Sequence, residues 1–141
     1  VDLCVDLKVP FIKIGSGEIT WLEQLDYIAR KNIPVMLATG DATMSEIDEA
    51  VRTIQKTGNK DFVLMQCITN YPSKLDSANV NVLKTYQSAF DCLQVILIMP
   101  LASTRDELNA MRAQAVEWCL RYGLRFSDRL HIAIWNSKKG V

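Results

Sequence analysis

Short apolar runs rich in β-branched residues alternate along this chain with longer amphipathic stretches, and that alternation constrains the fold most. Five runs have strand length: residues 11–15, 35–39, 62–68, 95–99 and 130–135. Most are continuously apolar, as expected for strands covered on both faces. Parallel neighbours need a long crossover, and an amphipathic helix supplies it, so the alternation predicts βα units wound into a parallel sheet.

The intervening stretches carry helix start signals. Thr20-Trp21-Leu22-Glu23 and Thr43-Met44-Ser45-Glu46 both match the capping box, in which a hydroxyl and a carboxylate satisfy reciprocal backbone donors. After the second box Ile47, Ala50, Val51 and Ile54 share one helical face, and Gly58 stands where a helix terminates. Ser103-Thr104-Arg105-Asp106 opens the longest helical segment, with Leu108, Met111, Ala115 and Cys119 along one stripe and Gly123 just past its end. Residues 79–90 form a further helix with Val82, Leu83, Tyr86 and Phe90 as buried candidates. Residues 1–7 read as the last turns of a helix whose beginning is missing, and the absent initiating methionine reads as a fragment or a trimmed chain.

Composition narrows the partners. The 141 residues fit a single domain over 1–141, and no repeat or Gly/Pro/Ser-rich linker divides them. Sixteen basic and sixteen acidic side chains cancel, so neither nucleic acid nor an anionic membrane is an expected partner. No apolar run approaches the roughly 20 residues that cross a bilayer, and the N-terminus lacks the basic and apolar regions of a secretory signal. Cys4, Cys67, Cys92 and Cys119 are too far apart for a local zinc or iron–sulfur motif and sit in apolar stretches. Buried reduced thiols in a reducing cytoplasm are therefore expected.

Residues 9–18, Val-Pro-Phe-Ile-Lys-Ile-Gly-Ser-Gly-Glu, then Ala38-Thr39-Gly40, then Asn70-Tyr71-Pro72, occur in the order found in the sialic acid synthase family. Roughly residues 1–90 resemble the central part of that family, whose members condense phosphoenolpyruvate with an amino sugar in a (βα)8 barrel. The resemblance implies that Lys13, Ser16 and Asn70 contact phosphoenolpyruvate, with Glu18 beside them. A cation and hydrogen-bond donors suit a phosphate and a carboxylate, and the turn at Ser16-Gly17-Glu18 lies between a strand and a helix. The chain departs from the family at Ala38, Asp41 and Gln66. The resemblance also implies two histidines that hold a divalent metal on later strands, whereas His131 is the single histidine. Loss of that Lewis acid removes the means of polarising the sugar carbonyl.

A second resemblance begins near Val95. Residues 95–100, the following helix, the stretch 122–132 and the tail Lys138-Lys139-Gly140-Val141 resemble the carboxyl-terminal part of 7-carboxy-7-deazaguanine synthase, a radical S-adenosylmethionine enzyme. Leu101 and Asn136 depart from its pattern. Its cluster-binding cysteine motif is absent, so no radical chemistry can start. His131 stands as a further site candidate.

Together these readings predict a chimera: a segment at 1–90, a junction at 91–94 and a foreign segment at 95–141. The expected fold is an open, doubly wound, flavodoxin-like sheet of about five parallel strands; the alternative is part of a (βα)8 barrel that hides its edges by association. The expected function is that of an artificial or recombined scaffold with no evolved catalysis, no cofactor and no metal. Its alternatives are phosphate- or phosphoenolpyruvate-type anion binding at the carboxyl ends of the strands, or a synthase fragment needing a partner chain. A small anion and a second copy paired through exposed sheet edges are the partners the pattern allows.

Overall fold

A computed structural model describes residues 1–69, 77, 79–91, 96–100 and 102–138. The chain divides into two compact units, Val1–Cys92 and Leu93–Val141. In the first, β1 (Ile12–Ile14), β2 (Val35–Ala38) and β3 (Phe62–Met65) form a parallel sheet in the order β1-β2-β3, accompanied by helices α1 (Asp2–Asp6), α2 (Leu22–Ala29), α3 (Met44–Lys56) and α4 (Val82–Ala89). In the second, β4 (Leu97–Ile98) and β5 (Arg125–Phe126) pair in parallel across α5 (Arg105–Tyr122), and α6 (Leu130–Trp135) follows. No described helix is long and apolar enough to cross a membrane.

The strand order does not support the flavodoxin-like expectation. A flavodoxin-like sheet sets its first strand between the second and third, in the order 2-1-3, whereas the described strands run β1-β2-β3. Right-handed crossovers that keep stepping the same way place successive helices on one face, and α2 and α3 pack against each other. Consecutive βα units of a barrel wall have this arrangement.

One face of the sheet carries the core. In register, Ile12, Val35 and Phe62 form one row and Ile14, Leu37 and Leu64 the next. Ile14, Val35 and Leu37 are buried together with Leu25 and Ile28 of α2 and Ile47, Val51 and Ile54 of α3. Each large aliphatic side chain so buried contributes about 1.5–3 kcal/mol. On the opposite face Lys13, Met36 and Val63 align; Lys13 is exposed and Val63 is 47% exposed. On this second face Met36 is half-buried and Ala38 is buried, so among the described residues it is covered only in part.

Local signals are met unevenly. The box at Thr43 forms: Glu46 N–H donates to Thr43 Oγ1 (3.3 Å), and Thr43 N–H donates to Glu46 Oε2 (2.7 Å), which holds the Glu46 carboxyl below its ordinary value. The box at Thr20 does not. There α2 starts at Leu22 behind Trp21, and Glu23 instead accepts from the Trp21 indole N–H at 3.3 Å. Thr104, one residue beyond Ser103, caps α5 by accepting from Glu107 N–H at 3.3 Å, and Gly123 in the left-handed region ends the helix. Along the α5 stripe Leu108, Ala115 and Cys119 are buried, whereas Met111 is exposed. In α4, Tyr86 and the following Phe90 are buried.

Residues 130–135 form α6, not a strand. Gly123 turns the chain directly into β5, where Arg125 N–H donates to Ile96 O and Ser127 N–H to Ile98 O, both at 2.9 Å. That occupies one edge of β4. The later apolar run then closes as a helix that buries Ile132 against Ala102 and Leu108. A run of six residues, five of them apolar, cannot by periodicity be told apart as strand or helix. The loop at 70–77 apart from Ser77, the junction at 91–94 apart from Asp91, and the tail beyond Lys138 lie outside the described residues.

Candidate functional site

The site is built at the carboxyl ends of β1, β2 and β3. Beyond β1, Gly15 is extended and Ser16–Glu18 form one turn of 3₁₀ helix. Gly15 N–H donates to Glu18 Oε2 at 3.0 Å, so the Glu18 carboxylate folds back on the backbone that starts the turn. The turn carries Ser16 across the end of β2 toward β3. Its Oγ lies 3.6 Å from Cys67 Sγ although β1 and β3 are not sheet neighbours. Gly40, at the end of β2, makes this approach feasible. A Cβ there would stand 3.0 Å from both Cys67 Sγ and Thr69 Cγ2 and 3.1 Å from Cys67 O, tighter than nearly all side-chain contacts, so those neighbours would have to give way.

A second cluster braces the same strand ends. Thr39, 3% exposed, donates through Oγ1 to Met65 O at 3.1 Å. The buried Tyr86 hydroxyl reaches Thr39 Oγ1 at 3.1 Å and Gln66 Oε1 at 3.3 Å. Thr39, Gln66 and Tyr86, with Asp41, Met44 and Asn79, line a cavity of about 310 Å³ between the strand ends and the starts of α3 and α4. The sequence offered one signal for the cluster: a tyrosine on the buried stripe of a helix needs a partner for its hydroxyl. The identity of that partner lies 47 residues away and has no local trace.

The predicted site residues scatter into different roles. Ser16 is half-buried at the convergence of the loops, and Lys13 lies exposed on the open face of the sheet, in register with Met36. Glu18 is a backbone cap, and Asn70 lies outside the described residues. His131 is exposed on α6, in the other compact unit, rather than tucked into a strand. A divalent metal does not fit the residues present. Among those described, no three His, Cys, Asp or Glu side chains come together.

Comparison with known proteins bears on both halves. The chain is 29% identical over 134 residues to the N-acetylneuraminate-9-phosphate synthase of Drosophila melanogaster, covering 95% of this chain and 33% of that protein. It is 38% identical over 92 residues to the N,N'-diacetyllegionaminic acid synthase of Campylobacter jejuni, covering 64% of this chain and 28% of that one. The crystal structure of the spore coat polysaccharide biosynthesis protein SpsE of Bacillus subtilis superposes with a TM-score of 0.70 at 30% identity, over 90% of this chain and 33% of that one. The chain thus spans about a third or less of the length of these relatives. The Drosophila alignment runs on past residues 91–94, and none of these similarities supports a radical-enzyme origin for the segment 95–141. The similarity to natural sugar-acid synthases overturns the expectation of an artificial scaffold. A model described as the NeuB family matches residues 1–95, two thirds of the length, and the chain belongs to that family.

Proposed function

We propose that this chain is a segment of a sugar-acid synthase, and that it supplies the part of the site that holds phosphoenolpyruvate. Its relatives synthesise sialic, legionaminic and pseudaminic acids. The observation that carries the reading is the convergence of Ser16, Gly40 and Cys67 at the carboxyl ends of three consecutive parallel strands, the end where α/β proteins place their ligands. Lys13 would place an ammonium, and Ser16 a hydroxyl donor, on the anionic groups of the substrate. Asn70 follows β3 and has the same assignment. Because the described residues do not fit a metal, carbonyl activation belongs to parts of a barrel beyond them.

Titration of the isotopically labelled chain with phosphoenolpyruvate tests this directly. Amide shifts at Lys13 and Ser16 that saturate in the millimolar range are expected, and Lys13→Ala should abolish them. No shift, or an unchanged shift in the variant, overturns the assignment. Condensation should appear only when the remaining strands of a family member are supplied in trans.

A further inference from the structure

We infer that Cys67 is a positioning residue for Ser16: its thiol donates to the serine oxygen and leaves the serine proton free for an anion. The inference rests on the reading of Ser16 as an anion ligand. A serine that binds an anion must donate its hydrogen, yet a hydroxyl on a turn can rotate and spend that hydrogen on a protein carbonyl. Cys67 Sγ, 3.6 Å away on a half-buried β3 extension, lies within reach of a weak S–H···O bond. With the oxygen occupied as acceptor, the O–H is directed elsewhere.

Two features of the fold maintain this contact. Gly40 leaves the space that the sulfur occupies, since a Cβ at that position would stand 3.0 Å from Sγ. The Glu18 carboxylate, by capping Gly15 N–H, fixes the turn that presents Ser16. Strand ends that are not sheet neighbours are thereby joined by one side-chain contact, and the contact involves the residue assigned to the substrate. Neither the capping pattern nor the apolar environment of Cys67 explains why a thiol should face that hydroxyl.

The test uses Cys67→Ser and Cys67→Ala in the full chain. Phosphoenolpyruvate and inorganic phosphate are titrated against the Ser16 amide, and the Ser16 χ1 couplings are measured without ligand. Cys67→Ser, which keeps a donor, should retain affinity within about twofold and a single Ser16 rotamer. Cys67→Ala should lose about three- to tenfold in affinity and average the rotamers. Unchanged affinity together with an unaveraged rotamer in Cys67→Ala overturns the inference. If wild type binds neither anion, the phosphoenolpyruvate reading fails, while the rotamer comparison still decides the positioning. Ser16→Ala reads the same bond from the other side. Iodoacetamide labelling of Cys67, followed by peptide mapping, should accelerate several-fold, and an unchanged or slower rate counts against the contact.

Discussion

Asn59 offers the sharpest test of what holds the first unit together. It is 2% exposed, just after Gly58 ends α3, and it reaches across to the preceding αβ connection. Its Nδ2 donates to Ala29 O at 3.2 Å and to Ile33 O at 3.1 Å, while its Oδ1 accepts from Asp61 N–H at 2.9 Å. Both amide hydrogens and the carbonyl are thus used, and the two loops that feed β2 and β3 are tied together. Asn59→Asp keeps the shape and the acceptor but removes both donors. Each lost hydrogen bond is worth about 1 kcal/mol net, and a carbonyl left buried without a donor costs about 1–3 kcal/mol, so a loss of about 2–4 kcal/mol is expected at pH 7. That is a large share of a stability of roughly 5–15 kcal/mol. The new carboxyl faces two carbonyl oxygens in a dry site, so its folded pKa should rise above the unfolded value of about 3.9. Stability linked to a raised pKa is full below the unfolded value and is lost as pH rises through the folded value. The deficit relative to wild type should therefore be smallest near pH 4 and grow toward pH 7. Urea unfolding of both proteins across that range measures it. A deficit under 1 kcal/mol, or one that does not change with pH, refutes the reasoning.

Gly40→Ala should lower the urea midpoint by the equivalent of about 1–3 kcal/mol through overpacking against Cys67 and Thr69, whereas Gly17→Ala, with nothing within 4 Å of the added methyl, should be close to neutral. Tyr86→Phe and Thr39→Val should each cost about 1 kcal/mol, and a double-mutant cycle by urea unfolding should find them less than additive, because the Tyr86 hydroxyl contacts Thr39 Oγ1. The Arg112 guanidinium, 2.7 Å and 3.2 Å from the Asp128 carboxylate, holds that carboxyl below its ordinary value. A depressed folded pKa contributes stability above the unfolded value that is lost as pH falls through the folded one, so acid unfolding of Asp128→Asn should show a flatter decline below about pH 4.

Much of the architecture was written locally. Thr43 and Glu46 place the start of α3, Gly123 marks the end of α5, and the continuous apolar runs locate β1, β2 and β3, because capping, left-handed glycine and chain stiffness are decided within a few residues. The ordered motifs around Lys13, Ala38-Thr39-Gly40 and Asn70 also carried the family. Three matters were decided only by tertiary packing. The order β1-β2-β3 rests on which strand edge each crossover reaches, and no local pattern encodes it. The run holding His131 is α6 and β4 pairs instead with β5, a choice between segments that periodicity cannot rank. The contact of Ser16 with Cys67 depends on an empty volume at Gly40, contributed by a third strand. Local sequence selects elements because their energetics are short-ranged; the site required distant strands to share one small space, and only the folded chain specifies that space.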